Sequence, residues 1–144
     1  MKTIIPVWNH AKKGKSSTLR YFADQLITQN PKTIIDNNYS NGRGDFRLIV
    51  ELNGKIIAIE SEGDPSTDLD VRLNYIVTNH KPDIILCATR SSGATCYAVS
   101  AYSSTYDIIW TSTYQYETNT SIEDILNESK ANHIYQLLTT LNRF

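Results

Sequence analysis

The sequence has few cysteines, and their positions exclude a disulfide framework. Cys87 and Cys96 are the only two among 144 residues, and they do not form the paired CxxC spacing that zinc sites use. Cys87 lies inside the apolar stretch DIILCAT, which predicts a buried free thiol. The fold is therefore expected to depend on a hydrophobic core, and 144 residues suffice to build one as a single domain over residues 1–144.

The sequence also lacks a long hydrophobic run. No stretch approaches the about 18 apolar residues that a membrane-spanning helix needs. The N-terminal segment MKTIIPVW is too short for the apolar core of a signal peptide, and polar residues follow it at once. These absences predict a cytoplasmic protein that has no membrane partner.

Neither sign of charge is in excess. The chain has 14 Lys and Arg against 15 Asp and Glu, which gives a net charge of −1 at pH 7. A protein that binds nucleic acid through general electrostatics carries a basic surplus, so the composition argues against nucleic acid as a partner. A local basic cluster is nevertheless present at Lys12, Lys13 and Lys15.

The apolar pattern predicts alternating strands and helices. Asn53-Gly54 between two apolar runs is the strongest hairpin signal, because both central residues of a type I′ turn need positive φ. Strands are expected at 4–8, 33–35, 46–52, 55–60, 83–88 and 107–111, and helices at 16–28, 67–77 and 94–104. This order predicts a three-layer α/β domain whose sheet is mostly parallel with one antiparallel strand.

Two further features of the pattern concern the first strand and the last helix. Pro6 lies inside the first strand although it lacks the N–H that a strand ladder uses. A last helix is predicted with Ser121 as its N-cap. Its expected buried residues are Ile122, Ile125, Leu126, Ile134, Leu137, Leu138 and Leu141.

The stretch NHAKKGKSST at residues 9–18 has the spacing of a phosphate-binding loop. The pattern GxxxxGK[ST] requires a strand before it and a helix after it, and both are predicted here. Gly14 lets the backbone curl around an anion, towards which consecutive N–H groups of the helix N-terminus point. Lys15 would reach the β- and γ-phosphates, and the Ser16 hydroxyl would bind Mg²⁺. The predicted nucleotide-contacting residues of this loop are Asn9, Lys12, Lys13, Gly14, Lys15, Ser16 and Ser17.

Asn9 stands where the pattern has its first glycine. Asparagine adopts left-handed backbone geometry more readily than other non-glycine residues, so Asn9 is expected to form the turn with a positive φ. The alternative for the whole stretch is a lysine-rich turn with a serine cap before a helix.

Carboxylates follow the second strand of the hairpin. IIAIESEGD places Glu60, Glu62 and Asp64 where a buried strand ends, and a phosphate-loop enzyme needs an acid there to hold Mg²⁺. Glu60 and Asp64 are therefore the candidate metal ligands beside Ser16, and the strand of Glu60 is expected beside the phosphate loop. The alternative is a solvated acidic turn that precedes the next helix.

Arg90 lies in TRSSGAT, directly after the predicted strand 83–88. Ligands of open α/β sheets bind at the carboxyl ends of strands, where an arginine can contact a phosphate, a second substrate or a base. The alternative is a surface arginine in a serine-rich turn.

The order of phosphate loop, helix, polar loop, hairpin and acid-x-x-Gly resembles P-loop NTPases, and among them the small GTPase-like branch. The resemblance covers residues 3–93. Glu60-Ser61-Glu62-Gly63 occupies the place of the second switch motif, which implies that Glu60 organises the Mg²⁺ shell and that the Gly63 N–H meets the γ-phosphate. The polar loop 37–45 corresponds to the first switch, with Ser40 nearest to its usual threonine. The guanine-reading Asn-Lys-x-Asp motif is missing, so guanine specificity is not implied.

These features predict a protein that binds a nucleoside triphosphate, with ATP as the expected nucleotide and Mg²⁺ as cofactor. It would hydrolyse or transfer the γ-phosphoryl group, with Lys15, Glu60, Asp64 and Arg90 as catalytic residues. Other classes remain open: a small-molecule or nucleotide kinase, a nuclease with Mg²⁺ on Asp45, Glu60 and Glu62, and a non-catalytic module that binds a protein partner. Homo-oligomerisation is open as well.

Overall fold

The computed structural model describes residues 2–9, 14–117 and 120–144. Its strands and helices alternate along most of the chain. Their order is β1 (Thr3–Trp8), α1 (Lys15–Ile27), β2 (Lys32–Asn37), β3 (Arg47–Leu52), β4 (Lys55–Glu60), α2 (Leu69–His80), β5 (Ile84–Thr89), α3 (Ala94–Ser100), β6 (Asp107–Ile108), β7 (Thr111–Ser112) and α4 (Glu123–Thr140). Short 3₁₀ turns at Pro65–Thr67 and Thr120–Ile122 precede α2 and α4.

The strands form one mixed sheet in the order β2-β3-β4-β5-β1-β6, and β7 also pairs with β1. β1 is parallel to β5, β6 and β7, and β4 is parallel to β5. Among the described strands, β3 alone runs in the opposite direction, antiparallel to β2 and β4. The predicted α/β class with a mostly parallel sheet is therefore confirmed.

The hairpin is confirmed, and one further strand separates it from β1. Asn53 and Gly54 have φ of 53° and 77°, as the turn between β3 and β4 requires. β5 lies between β4 and β1 in the sheet. The strand of Glu60 therefore does not pair with β1, but the segment after it reaches the start of α1, where the Ser61 carbonyl oxygen lies 3.5 Å from the Ser16 Oγ.

Pro6 is tolerated in the interior strand β1 because the neighbouring strand is interrupted beside it. The carbonyls of Ile4 and Trp8 accept hydrogen bonds from the N–H groups of Ile109 and Thr113. Pro6 lies two residues from each of them along the strand, so its backbone nitrogen also points towards β6 and β7. There β6 pairs only with the start of β1 and β7 only with its end. The prolyl nitrogen falls at the gap, where no ladder donor is needed.

Helices cover both faces of the sheet and give three layers. α1 and α4 share one hydrophobic cluster with sheet residues, in which Phe22 and Ile134 are buried. α2 and α3 share a second cluster on the other face, in which Leu73 and Val99 are buried. Cys87 is a buried free thiol of this second cluster, as expected, and burial raises its pKa to about 12.

The face that α4 buries is partly different from the predicted one. Ile134 and Leu138 are buried as expected, but Ile125 is 63% exposed and Ile122 is 37% exposed. Before Ala131, the buried side chains of α4 are instead polar, Asn127 and Lys130. The Lys130 Nζ donates to the Thr111 Oγ1 at 3.1 Å. This part of α4 therefore packs on the polar end of the sheet and on the end of the phosphate loop.

None of the helices in the described part of the chain combines the length and the apolar character needed to span a bilayer.

Candidate functional site

A cleft of about 350 Å³ lies at the N-terminus of α1, and we call it the α1 cleft. Its volume is within the range of small-molecule sites. The lining residues are Gly14, Lys15, Ser16, Ser17, Asp45, Ser61, Gly63, Asp64 and Glu123. The structure therefore brings most of the predicted loop residues into one cleft, together with Gly63 and Asp64 from the segment after β4. Lys12 and Lys13 lie outside the described residues, as does the middle of the loop.

Gly14 has a left-handed backbone conformation and lies against the side chain of Asn127. It precedes α1 with φ of 82°, a left-handed conformation that favours glycine. A Cβ at this position would lie 2.3 Å from the Oδ1 of Asn127, because α4 packs against this end of the loop. Within the described residues, no side chain caps α1 and its first turn contains no acidic residue. The first N–H groups of α1 therefore remain available to an anion.

Lys15 is buried and tethered by two backbone carbonyls. Its side chain has 7% relative exposure, and its Nζ donates to the carbonyl oxygens of Asn9 at 3.1 Å and Thr89 at 3.0 Å. Burial lowers the pKa of Lys15, and so does the nearby positive charge of Arg90. Asp64 and Asp45 act in the opposite direction. The amine thus bridges the ends of β1 and β5 beside the cleft.

Asn9 does not have the backbone geometry that its position in the loop predicts. It is not among the described residues with a positive φ, so the expected left-handed turn at Asn9 is wrong. Its backbone N–H donates to the Thr89 carbonyl at 3.4 Å, which extends the pairing of β1 and β5 by one residue. Its buried side chain donates through Nδ2 to the Thr113 Oγ1 at 2.7 Å. Asparagine at this position therefore joins the end of β1 to the segment after β7.

Ser16 and Asp45 form the central contact of the cleft. The Ser16 Oγ donates to the Asp45 Oδ1 at 2.7 Å. The Ser61 Oγ donates to the same oxygen at 3.1 Å and accepts the Phe46 N–H at 2.8 Å. Sequence reasoning placed Asp45 only in the nuclease alternative. Its position at the end of the polar loop, directly before the hairpin, was the available signal.

Glu60 faces away from the α1 cleft. Its carboxylate is buried and accepts hydrogen bonds from the Arg47 Nε at 2.6 Å and the Arg72 Nη1 at 2.5 Å. Neighbouring residues of an extended chain point to opposite faces of a sheet. Ser61 therefore faces α1, while Glu60 faces Arg72 on α2. The structure does not bring Glu60 to Ser16.

Glu60 instead lines a neighbouring cleft of about 410 Å³. Asp45 lines both this cleft and the α1 cleft. Glu62 is also here, but its carboxylate is 43% exposed and lies 3.9 Å from the Arg72 Nη1. The three carboxylates of the nuclease alternative thus line one cleft, where Glu60 and Glu62 share Arg72 while Asp45 accepts hydrogen bonds from Ser16 and Ser61.

Arg90 and Asp64 meet at the mouth of the α1 cleft. The Arg90 Nε lies 3.1 Å from the Asp64 Oδ1, and both side chains are partly exposed. The Arg90 backbone N–H donates to the Thr95 Oγ1 at 2.9 Å, which fixes its loop against the start of α3. Of the two predicted residues, Asp64 lines the cleft, and Arg90 lies next to it through its ion pair with Asp64.

The oxygen atoms around Ser16, from Asp45 and the Ser61 carbonyl, suit a hard cation whose other ligands are water molecules and substrate oxygens. In the part of the chain that the structure describes, no group of three or more His, Cys, Asp or Glu side chains is arranged to hold a metal. Mg²⁺ keeps several waters and takes one or two carboxylates plus substrate phosphates, so it does not need such a group. Because the Ser16 hydroxyl donates its hydrogen to Asp45, its lone pairs are free to face a cation.

Comparisons with known proteins do not assign this chain to a family. No protein-family model, curated protein or solved structure matches it. The functional interpretation therefore depends on the geometry of the α1 cleft and on the sequence motif that forms it.

Proposed function

We propose that the protein binds a nucleoside triphosphate with Mg²⁺ in the α1 cleft and hydrolyses or transfers its γ-phosphoryl group. One observation carries the proposal: Lys15, Ser16 and the uncapped N-terminus of α1 line one cleft directly after a strand and a loop of phosphate-binding spacing. ATP is the proposed nucleotide, because the guanine-reading motif is missing from the sequence. The resemblance of the sequence to P-loop NTPases supports the same proposal.

Positive groups of the cleft would hold the phosphates. Lys15 would exchange the carbonyls of Asn9 and Thr89 for phosphate oxygens, which accept stronger, charge-assisted hydrogen bonds. Arg90 would exchange Asp64 for phosphate at the mouth of the cleft. After that exchange, both cationic groups would stabilise the charge that spreads over the γ-phosphoryl oxygens in the transition state.

Mg²⁺ would be held by Ser16, with Asp45 as the acid that orients it and Asp64 facing the same cleft. When bound, Mg²⁺ offsets charge on the β- and γ-phosphates. We assign this role to Asp45 in place of Glu60, because Asp45 contacts Ser16 while Glu60 is paired with two arginines. Partners that orient a metal ligand affect metal affinity about 10–100-fold.

Calorimetric titration of the full chain tests the proposal. ATP, GTP, ADP and GDP are titrated with Mg²⁺ and again with EDTA. We expect a preference for triphosphates that Mg²⁺ strengthens, followed by release of inorganic phosphate if water is the acceptor. Absence of nucleotide binding, together with cleavage of plasmid DNA, would instead favour the nuclease alternative.

A kinase is the second candidate, and one observation favours it. The cleft beside Glu60 shares Asp45 with the α1 cleft, so an acceptor bound there would lie next to the nucleotide. Triphosphate binding without release of inorganic phosphate would favour this candidate over hydrolysis.

Asp45→Asn and Glu60→Gln are a matched pair that tests the assignment of the metal-organising acid. Each substitution removes one negative charge and keeps the shape of the side chain. We expect Asp45→Asn to lower the Mg²⁺-dependent part of ATP affinity by about tenfold, with little change in EDTA. Glu60→Gln should leave the Mg²⁺ dependence intact and lower the free energy of unfolding by about 1–2 kcal/mol, since Arg47 and Arg72 lose their shared charge. The reverse pattern would return the role to Glu60.

A further inference from the structure

A second surface feature lies between α2 and α3, on the face of the sheet opposite α1 and α4. It is a groove of about 480 Å³, and we call it the α2–α3 groove. Three small residues of the α3 segment, Ala94, Ala98 and Ala101, line it at intervals of four and three, so they lie on one side of the helix. Tyr97 stands at its edge with 76% relative exposure. An incoming helix could therefore approach the alanines closely and cover the tyrosine.

The rim of the groove carries negative charge that the described residues do not compensate. Asp68 and Asp70 line the groove and are exposed. Neither carboxylate has an ion pair or a side-chain hydrogen bond within the described part of the chain, whereas Glu60 and Asp64 are paired with arginines. Burial raises the pKa of Tyr102, and the negative charge of Asp70 raises it further, so Asp70 lies near the Tyr102 side chain. The groove is thus lined by two exposed carboxylates and by the rings of Tyr97 and Tyr102.

Charge complementarity indicates a basic occupant. An ammonium or guanidinium group is attracted both by carboxylates and by the face of a tyrosine ring. An acidic segment would be repelled by the same groups. A helical occupant fits the alanine side of the groove, since small residues permit close packing of backbones.

A second copy of this chain does not supply such a helix from its described residues. Lys15, Arg20, Arg72 and Lys130 are the basic residues on the described helices. Lys15 and Lys130 are buried, and Arg20 and Arg72 donate hydrogen bonds within the chain. The occupant is therefore expected to be a different protein.

We propose that the α2–α3 groove binds a basic helical segment of a partner protein. Its Lys or Arg side chains reach Asp68 and Asp70, and its apolar side covers Ala98 and Tyr97. The groove adjoins the α1 cleft without being part of it: Thr95 lines the groove and bonds to the Arg90 backbone, whose side chain meets Asp64. The proposal does not depend on nucleotide binding.

The probe is a capped alanine-based helical peptide with leucines on one side and lysines spaced four residues apart. A second peptide has glutamate in place of each lysine. Both are titrated into the ¹⁵N-labelled full chain without nucleotide, and amide shifts and affinity are measured. We expect the lysine peptide alone to bind, with shifts concentrated in residues 68–71 and 94–102.

Matched variants locate the binding. Asp68→Asn with Asp70→Asn removes two charges and should weaken binding at least tenfold; asparagine also tolerates the φ of 53° at Asp68. Glu51→Gln with Glu128→Gln removes the same charge from exposed positions outside the groove and should leave affinity unchanged. Tyr97→Ala should also weaken binding. No binding of the lysine peptide, equal binding of the glutamate peptide, or equal loss in the control overturns the proposal.

Discussion

Lys15→Met is expected to lower the affinity for Mg²⁺-ATP by at least about 100-fold, which is about 2.7 kcal/mol of binding free energy. Methionine keeps the length and apolar stem of the side chain but cannot donate to phosphate. Charge-assisted hydrogen bonds contribute about 1.5–3 kcal/mol each, and the lysine amine would make more than one. Calorimetry with ATP measures the loss.

The control separates this loss from a change in fold or in net charge. Lys32→Met removes the same charge from an exposed position at the start of β2 and should bind ATP normally. Lys15→Met also leaves the Asn9 and Thr89 carbonyls without the amine, so we expect the free energy of unfolding to fall by about 1–2 kcal/mol. A folded Lys15→Met protein with unchanged ATP affinity would refute the proposed function.

Gly63→Ala is expected to be the most destabilising single-methyl change in the site, by about 3 kcal/mol. A Cβ on Gly63 would lie 1.9 Å from the carbonyl oxygen of Ala88 and 2.3 Å from its carbonyl carbon. Ala88 belongs to β5 and is paired with Val7 of β1, and the β4–β5 pairing ends at the preceding residue, Cys87, so its backbone is held in the sheet. The segment after β4 must therefore shift, and with it the side chains of Ser61 and Asp64. Urea unfolding measures the change in stability.

Two further variants identify the cause. Gly42→Ala introduces a methyl at φ of 80° with no atom within 4 Å, so it reports conformational strain alone, about 1–2 kcal/mol. Ala88→Gly should not rescue Gly63→Ala, because the nearest atoms belong to the backbone of residue 88. Full rescue would show that the contact between the two methyl groups, 2.8 Å apart, decides the cost.

Local features were predictable because each depends on neighbouring residues. The Asn53-Gly54 turn, the strand before the loop and the helix after Gly14 follow from spacing and turn chemistry alone. The side to which Glu60 points was missed for a physical reason. A shift of one residue reverses the face of a strand, and the nearly continuous apolar run before Glu60 has no alternation that reveals the parity.

Contacts between distant parts of the chain were not predictable. Asn9 bonds to Thr113, which is 104 residues away, and Asn127 of α4 closes on Gly14. The position of β5 between β4 and β1 likewise depends on the packing of whole elements. Asp45 gains its importance from Ser16, 29 residues earlier, and only the fold brings the two side chains together.

The tether of Lys15 has a consequence for which anions the cleft would admit under the proposed function. Two of the three ammonium donors already have carbonyl acceptors, so an incoming anion must outcompete them. Inorganic phosphate would be bound only by the N-terminus of α1, and this binding free energy would be largely offset by the loss of the two Lys15 hydrogen bonds. A polyphosphate chain anchored at the same helix end presents its next phosphate at high effective concentration. The tether would thus act as a filter that keeps an abundant small ion from occupying the cleft in place of the nucleotide.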